Sequence, residues 1–160
     1  MKKTIELSTE QAREYYNDPK GFKRALEAYF SKEELTKKDW RKIKTFEDAC
    51  DILNEDINVF ENMFKSLSIS SIAYIKLEII FKAINGDWVI DWGNRKQYKW
   101  YPYFTIEDGG GALAGLLYTN ANFSGSYTFT YFGGRLYAES EEKARYIGMQ
   151  FIKIYSDYTK

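Results

Sequence analysis

Apolar residues recur at helical spacing through the first half of the chain, and capping residues precede several of these runs. Thr45 with Asp48 marks one start, because a side-chain oxygen there accepts from backbone amides that have no partner inside the helix. The longest run, Ser70 to Ile84, is apolar on almost every side and ends at Asn85-Gly86. The pattern predicts mainly helix over residues 8–85, with this run as a central buried helix. The core predicted around it contains Ile75, Ile79, Ile80, Ile147 and Phe151.

After Gly86 the apolar positions alternate, which is the pattern of a strand with one buried face. Over residues 98–106 the predicted inward residues are Tyr98, Trp100, Phe104 and Ile106, and the outward residues are Lys99, Tyr101, Tyr103 and Thr105. Pro102 has no N–H to donate, so this strand is predicted to lie at an edge or to contain a bulge. Glycine-rich turns separate further predicted strands, near residues 112–118, 126–132 and 135–138.

Ser140 precedes a last amphipathic run, which predicts one helix over residues 140–157. This order of elements indicates the α+β class: N-terminal helices and a central buried helix, then an antiparallel sheet of three to five strands closed by a C-terminal helix. A length of 160 residues suits one domain. Residues 1–160 are therefore predicted to form a single domain, with residues 1–43 as a candidate helical N-terminal extension packed on a core of residues 44–160.

Composition disfavours several classes of function. The 23 basic and 23 acidic side chains cancel, so no net field attracts nucleic acid, which is disfavoured as a partner. The chain has no histidine, the usual general base near neutral pH, and this disfavours an enzyme without excluding one. Cys50 is the single cysteine and lies in a helical apolar pattern, which predicts a core residue and no disulfide. No cofactor and no metal site are predicted.

The same features predict a compartment. Lys76, Glu78 and Lys82 interrupt the longest apolar stretch, residues 67–84, so neither a membrane span nor a membrane partner is predicted. The first residues lack the apolar core of a signal peptide. Together with the single cysteine, these features predict a protein of a reducing bacterial cytoplasm.

Aromatic residues concentrate between Trp88 and Phe104, where seven occur in seventeen positions. Basic residues lie among them, and flat rings beside cations suit a base, a nucleotide or another planar anion. The competing interpretation is that the inward rings fill the core, but outward tyrosines are harder to explain in that way. Arg95 and Arg135 are included as cations that would orient an anionic group. The candidate ligand-binding residues are Trp88, Trp92, Arg95, Lys99, Tyr101, Tyr103 and Arg135.

Three weaker patterns have a structural interpretation that we favour. Gly109–Gly115 has the glycine content of a phosphate-binding loop but lacks the Lys-Ser/Thr ending, so a hairpin loop is the better interpretation. The basic run Lys37–Lys44 is interpreted as a solvated linker rather than a nucleic-acid contact. Carboxylates at turn positions are weak candidates for catalysis or a metal, because acidic residues are common in turns. They are Asp87, Asp91, Glu107 and Asp108.

Six short segments carry a further pattern. They are Lys3–Ser8, Lys44–Cys50, Trp88-x-x-Asp91-Trp92, Tyr98–Phe104, Gly134–Tyr137 and Tyr146-x-Gly148-x-Gln150-Phe151. Together they resemble a group of uncharacterised small proteins of gut Bacteroidales and of their phages and prophages. The sequence departs from that group at Val89-Ile90, where a basic residue and a proline are expected, and this affects the loop between two tryptophans. The resemblance implies a mobile-element setting and no known activity, substrate or catalytic residue.

Three functions are consistent with these features. The first is a non-catalytic binding protein of a phage or prophage, which captures a host molecule (a nucleotide-like signal or a host protein) on the aromatic surface. The second is a virion structural or assembly component, in which the same rings would form the subunit interface of a homo-oligomer. The third is a single-strand nucleic-acid binder or a small histidine-free enzyme. The lack of coiled-coil repeats and long tails in the sequence ranks the first above the second.

Overall fold

The computed structural model describes residues 6–36, 39–94, 96–107, 115–124 and 136–160. By its internal contacts the chain divides into two units, Met1–Asp39 and Trp40–Lys160. The helices are α1 (Thr9–Asn17), α2 (Lys23–Leu26), α3 (Lys32–Thr36), α4 (Phe46–Leu53), α5 (Ile57–Phe64), α6 (Ile69–Asn85), α7 (Glu141–Gln150) and α8 (Ile152–Tyr158), and the strands are β1 (Lys99–Glu107) and β2 (Gly115–Ser124). Among the described residues, no helix combines the length and the apolar character needed to span a bilayer. The predicted α+β class is confirmed.

The N-terminal unit has a small buried interior. The Ser8 hydroxyl accepts from the Gln11 amide at 3.2 Å, and the Gln11 side chain accepts from the Ser8 amide at 3.0 Å, so α1 begins with a capping box. Ala12 of α1 and Leu35 of α3 are fully buried where these two helices meet. Tyr29 of the same unit is 87% exposed, so its ring contributes little to this interior.

In the second unit, α4 begins with the capping box that the sequence predicts. The Thr45 hydroxyl accepts from the Asp48 amide at 3.1 Å, and the Asp48 carboxylate accepts from the amides of Lys44 and Thr45 at 2.8 and 2.9 Å. These backbone hydrogen bonds hold the pKa of Asp48 below its ordinary value, because they favour the charged carboxylate. The helix ends at Asn54, whose φ of 55° lies in the left-handed region.

The segment Trp40–Lys44, which precedes α4, lies against α7. The rings of Trp40 and Tyr146 meet edge to face at 5.1 Å between centroids. The Tyr146 hydroxyl donates to the Ile43 carbonyl at 2.7 Å, and the Ile43 side chain is fully buried. The prediction of a solvated linker is therefore wrong for this part of the basic run, because Ile43 belongs to the buried core and Trp40 packs against that core.

The helix α6 buries one face rather than its whole circumference. Its buried residues are Ala73, Leu77, Ile80, Phe81, Ala83 and Ile84. Of the predicted core residues on α6, Ile80 is buried, Ile79 packs half-buried against the core, and Ile75 is half-buried outside it. The prediction of all-round burial is wrong, since Ile72, Ile75 and Ile79 of the predicted run are only half-buried. An apolar side chain is buried only where a neighbouring element covers it.

The strands β1 and β2 form an antiparallel pair, which confirms the strand predicted over residues 98–106. Tyr103 lies opposite Asn120, but Phe104 lies opposite Tyr118, so the register shifts by one residue between them. This shift is a bulge, but its extra residue lies in β2 and not in β1, the strand for which Pro102 predicts a bulge or an edge position.

The other edge of β1 makes an isolated bridge. Trp100 and Ala138 exchange backbone hydrogen bonds of 3.1 and 2.7 Å across it. Pro102 faces the same edge two residues later and has no N–H, so the ladder with residues 136–138 cannot continue there. The strand predicted over 126–132 lies outside the described residues.

The C-terminal helices pack on the sheet, α7 against both strands and α8 against β2. The prediction of one uninterrupted helix over residues 140–157 is wrong, because the chain leaves the α conformation at Phe151 (φ −111°, ψ 24°). The amides of Ile154 and Tyr155 both donate to the Phe151 carbonyl and begin α8. The rings of Phe151 and Tyr155, on either side of this break, are both buried. The centroid of the Tyr155 ring lies 4.5 Å from that of the Phe104 ring.

Replacing Tyr155 with phenylalanine is expected to raise the free energy of unfolding by on the order of 1 kcal/mol, because the buried hydroxyl has no hydrogen-bond partner within the described residues. Burial raises the pKa of Tyr155 well above its ordinary value. The folded chain therefore keeps a proton that the unfolded chain releases above about pH 10, so stability is complete below that pH and falls as pH rises. This fall should be smaller in the variant.

Urea unfolding of both proteins at about pH 7 and about pH 11 measures the two effects of the Tyr155 substitution. Two results would contradict these expectations: a Tyr155→Phe variant that is less stable than the wild type at about pH 7, and a loss of stability between about pH 7 and about pH 11 that is the same in both proteins.

Candidate functional site

The loop between α6 and β1 is closed by its own side chains. Gly86 ends α6 with a φ of 63°, which glycine adopts without strain. The Gln97 side chain then spans the loop: its oxygen accepts from the Asp91 amide at 2.7 Å, and its nitrogen donates to the Val89 carbonyl at 2.9 Å. The Asp91 carboxylate accepts from the Gly93 amide at 2.9 Å, which makes a local turn.

Lys99 is completely buried, whereas the alternation along β1 predicts that it faces outward. Its ammonium donates to the Gln97 carbonyl at 2.9 Å and to the Asn94 carbonyl at 3.5 Å. It also lies 5.6 Å from the centroid of the Trp92 ring, within the range of a cation–π contact. The prediction of an exposed Lys99 is wrong, because the loop folds back over the start of β1 and covers it.

Tyr101 follows on the same face of β1 and lies across from Tyr137. Their rings meet nearly at right angles at 5.9 Å, and the Tyr137 ring meets the Trp92 ring at 6.0 Å. The Asn85 side chain holds the segment of Tyr137 in place by donating to its carbonyl at 2.7 Å. Desolvation, with smaller contributions from Tyr137 and Tyr103, raises the pKa of Tyr101 above its ordinary value. Like an ordinary tyrosine, it is protonated at neutral pH.

The outer part of this surface is half exposed. Trp92 is 48% exposed and Tyr103 is 49% exposed. Asn120 lies opposite Tyr103 in the sheet, and Asn122 lies opposite Tyr101. The side-chain oxygens of the two asparagines accept from the next backbone amide at 2.9 and 2.8 Å, so each side chain presents its NH₂ group as a donor. We call this surface the tyrosine face; its residues are Trp92, Tyr101, Tyr103, Asn120, Asn122 and Tyr137.

The structure brings three of the predicted site residues together on the tyrosine face, namely Trp92, Tyr101 and Tyr103. Lys99 lies beneath them and holds the loop that carries the tryptophan. Trp88 is half-buried just after α6, and its backbone amide donates to the Asn85 carbonyl at 3.4 Å. Arg95 and Arg135 lie outside the described residues.

Sequence reasoning missed Asn120, Asn122 and Tyr137. The two asparagines alternate with Ala121 and Phe123, and this alternation of polar and apolar residues is a signal of two strand faces. Tyr137 has no comparable signal, because its position depends on the bridge that the next residue makes with β1.

The opposite face of β1 also carries an aromatic cluster. The Phe123 ring lies 4.8 Å from the Tyr98 ring and 5.0 Å from the Trp100 ring. Trp100 and Phe104 pack against the core as predicted, but Tyr98 is 54% exposed, so the prediction that it faces inward into the core is wrong. Tyr98 thus provides a tyrosine of similar exposure to Tyr103 on the other side of the strand.

Comparison of the chain with protein-family models, with curated proteins and with solved structures finds no match. A fold of this class does not by itself specify an activity. Function is therefore inferred from the residues of the tyrosine face and from their geometry.

Proposed function

We propose that the chain is a non-catalytic binding protein of a phage or prophage, which captures a host molecule, a nucleotide-like signal or a host protein, on the tyrosine face. The main supporting observation is that Trp92 and Tyr103 stay about half exposed on a surface of aromatic and amide side chains. Such residues are more typical of contact surfaces than of the ordinary protein exterior. The sequence resemblance supports the phage or prophage setting, and the sequence composition supports a location in the cytoplasm of the bacterial host cell.

The construction of the tyrosine face supports binding. Tyr101 and Tyr103 stand on β1, and the two asparagines stand on its partner β2. Lys99 and Gln97 hold the loop that carries Trp92. A surface formed in advance loses less conformational entropy when a ligand binds. Its side chains are phenols, amides and an indole, which offer stacking and hydrogen bonds rather than an activated nucleophile beside a base.

Replacing Tyr103 with alanine is expected to release the captured molecule without unfolding the chain, because Tyr103 lies outside the core. Loss of one stacked ring weakens binding by about 1–3 kcal/mol, or roughly 5- to 150-fold. Each protein is purified from bacterial cells and denatured, and mass spectrometry identifies the molecules and proteins that separate from it. The wild type and Tyr98→Ala should yield the same molecule, whereas Tyr103→Ala should yield much less. Identical sets from all three proteins would contradict the proposal.

A virion structural or assembly component is the second candidate, and one apolar stretch supports it. Val59 and Met63 of α5, with Leu67 and Ile69 after it, are 61%, 41%, 37% and 59% exposed. Clustered apolar side chains in water are typical of an interface between subunits. If these apolar residues form the subunit interface in place of the aromatic rings, light scattering should show an oligomer that Met63→Lys disrupts and that Tyr103→Ala leaves intact.

We also propose that the antiparallel sheet has three to five strands and is closed by the C-terminal helices. The bridge between Trp100 and Ala138 lies on the edge of β1 opposite to β2, which supports a third strand there. Packing of α7 against both strands supports the closure.

A further inference from the structure

The tyrosine face is uncharged, although a cation lies directly beneath it. Its residues are tyrosine, tryptophan and asparagine, which are neutral near pH 7. The Lys99 ammonium is fully buried and is occupied by two carbonyl oxygens of the loop and by the Trp92 ring. It is therefore not available to a phosphate or carboxylate bound on this face. Of the described residues of the adjoining loop, the charged side chains of Asp87, Asp91 and Lys96 are exposed.

The polar groups of the tyrosine face act mainly as hydrogen-bond donors. The oxygens of Asn120 and Asn122 each accept one hydrogen bond from a backbone amide, and their NH₂ groups can donate to a ligand. The two asparagines stand two residues apart on one strand, roughly 7 Å along it. The protonated Tyr101 hydroxyl adds a further donor in the same row as Asn122. A matching ligand has several neutral acceptors distributed along its edge.

The apolar groups of the tyrosine face are two half-exposed rings, Trp92 and Tyr103. An aromatic ring in water gains from covering its face with C–H groups, because apolar area leaves water and the π-system attracts the positive edges of C–H bonds. A sugar ring has this combination of C–H bonds on its faces and hydroxyl groups around its edge.

We infer that the tyrosine face binds a neutral sugar, whose ring stacks on Tyr103 or Trp92 and whose hydroxyls accept from Asn120 and Asn122. This inference rests on the proposed capture of a host molecule on the tyrosine face, and it assigns that molecule to a class other than nucleotides. A nucleotide carries phosphates, for which the described residues of the face supply no cation. A neutral sugar needs none.

Isothermal calorimetry tests the ligand class on the full chain. The probes are neutral oligosaccharides (glucans, mannans, galactans and xylans) and, in parallel, ATP, GTP and a cyclic dinucleotide. At least one oligosaccharide should bind, with an affinity that changes less than about twofold between about 0.05 and 0.5 M salt. Tyr103→Ala should weaken this binding on the order of tenfold. The matched variant Tyr98→Ala, and Tyr103→Phe, which keeps the ring, should bind nearly as the wild type does.

The outcomes separate the sugar inference from the proposed function. Binding of a nucleotide that depends on Tyr103 and weakens with salt would overturn the inference and leave the proposed function standing. Binding of no oligosaccharide overturns the inference as well. If in addition no molecule that separates from the purified protein depends on Tyr103, the proposed function fails with it. Melting curves of Tyr103→Ala that match the wild type ensure that a loss of binding is not a loss of fold.

Discussion

Replacing Phe81 with alanine is expected to lower the free energy of unfolding by about 3–5 kcal/mol. Phe81 is 2% exposed and belongs to the core that joins α6 to the C-terminal helices and the sheet. The substitution takes a ring out of this core and leaves a cavity that its neighbours fill only in part, so the cavity adds to the lost transfer energy. Urea denaturation followed by circular dichroism measures the change, with an unchanged slope against urea.

Val59→Ala on α5 is the control for the Phe81 variant. Val59 is 61% exposed, so its truncation should change stability by no more than about 0.5 kcal/mol. Leu77→Ala, fully buried on the same face of α6, should cost about 2–5 kcal/mol. If Phe81→Ala proved as stable as Val59→Ala, the buried face of α6 would have to be reassigned.

Local signals in the sequence predict where helices and strands occur in this fold, but they predict less well which of their residues are buried. The capping box at Thr45 and the alternation along β1 each depend on a few neighbouring residues, and both are confirmed. The burial of α6 depends on how many elements pack around it, and its apolar positions exceed the surface that those elements cover. The break at Phe151 has no local signal, because this residue is neither glycine nor proline.

The tyrosine face likewise has one feature that local pattern predicts and one that it does not. Alternation correctly places Tyr101 and Tyr103 on one side of β1, because the pleat of a strand has a fixed period. It does not reveal that a loop covers the first residue of the strand. That loop is set by hydrogen bonds from the Gln97 side chain to Asp91 and Val89, and such contacts leave no periodic pattern in the sequence.

Replacing Lys99 with alanine is expected to lower the free energy of unfolding by about 2–5 kcal/mol. The change deletes a long, fully buried side chain and leaves the carbonyls of Gln97 and Asn94 without the donor they share. The loop should then loosen, and the Trp92 ring should become more exposed to solvent, because its contact with the Lys99 ammonium is lost. Urea denaturation measures the stability, and a red shift of tryptophan emission reports the ring. Comparison in a Trp92→Phe background isolates this signal among the four tryptophans.

Two further variants separate the causes of the Lys99 effect. Lys96→Ala removes an exposed lysine from the same loop and should change stability by no more than about 0.5 kcal/mol. Lys99→Met keeps most of the apolar stem and removes the ammonium, so it should recover the packing part of the loss while the emission stays shifted. If the emission of Lys99→Met equalled that of the wild type, the ammonium would not hold the loop. The position of Trp92 would then depend on the hydrogen bonds of Gln97, and the tyrosine face would not need the buried cation beneath it.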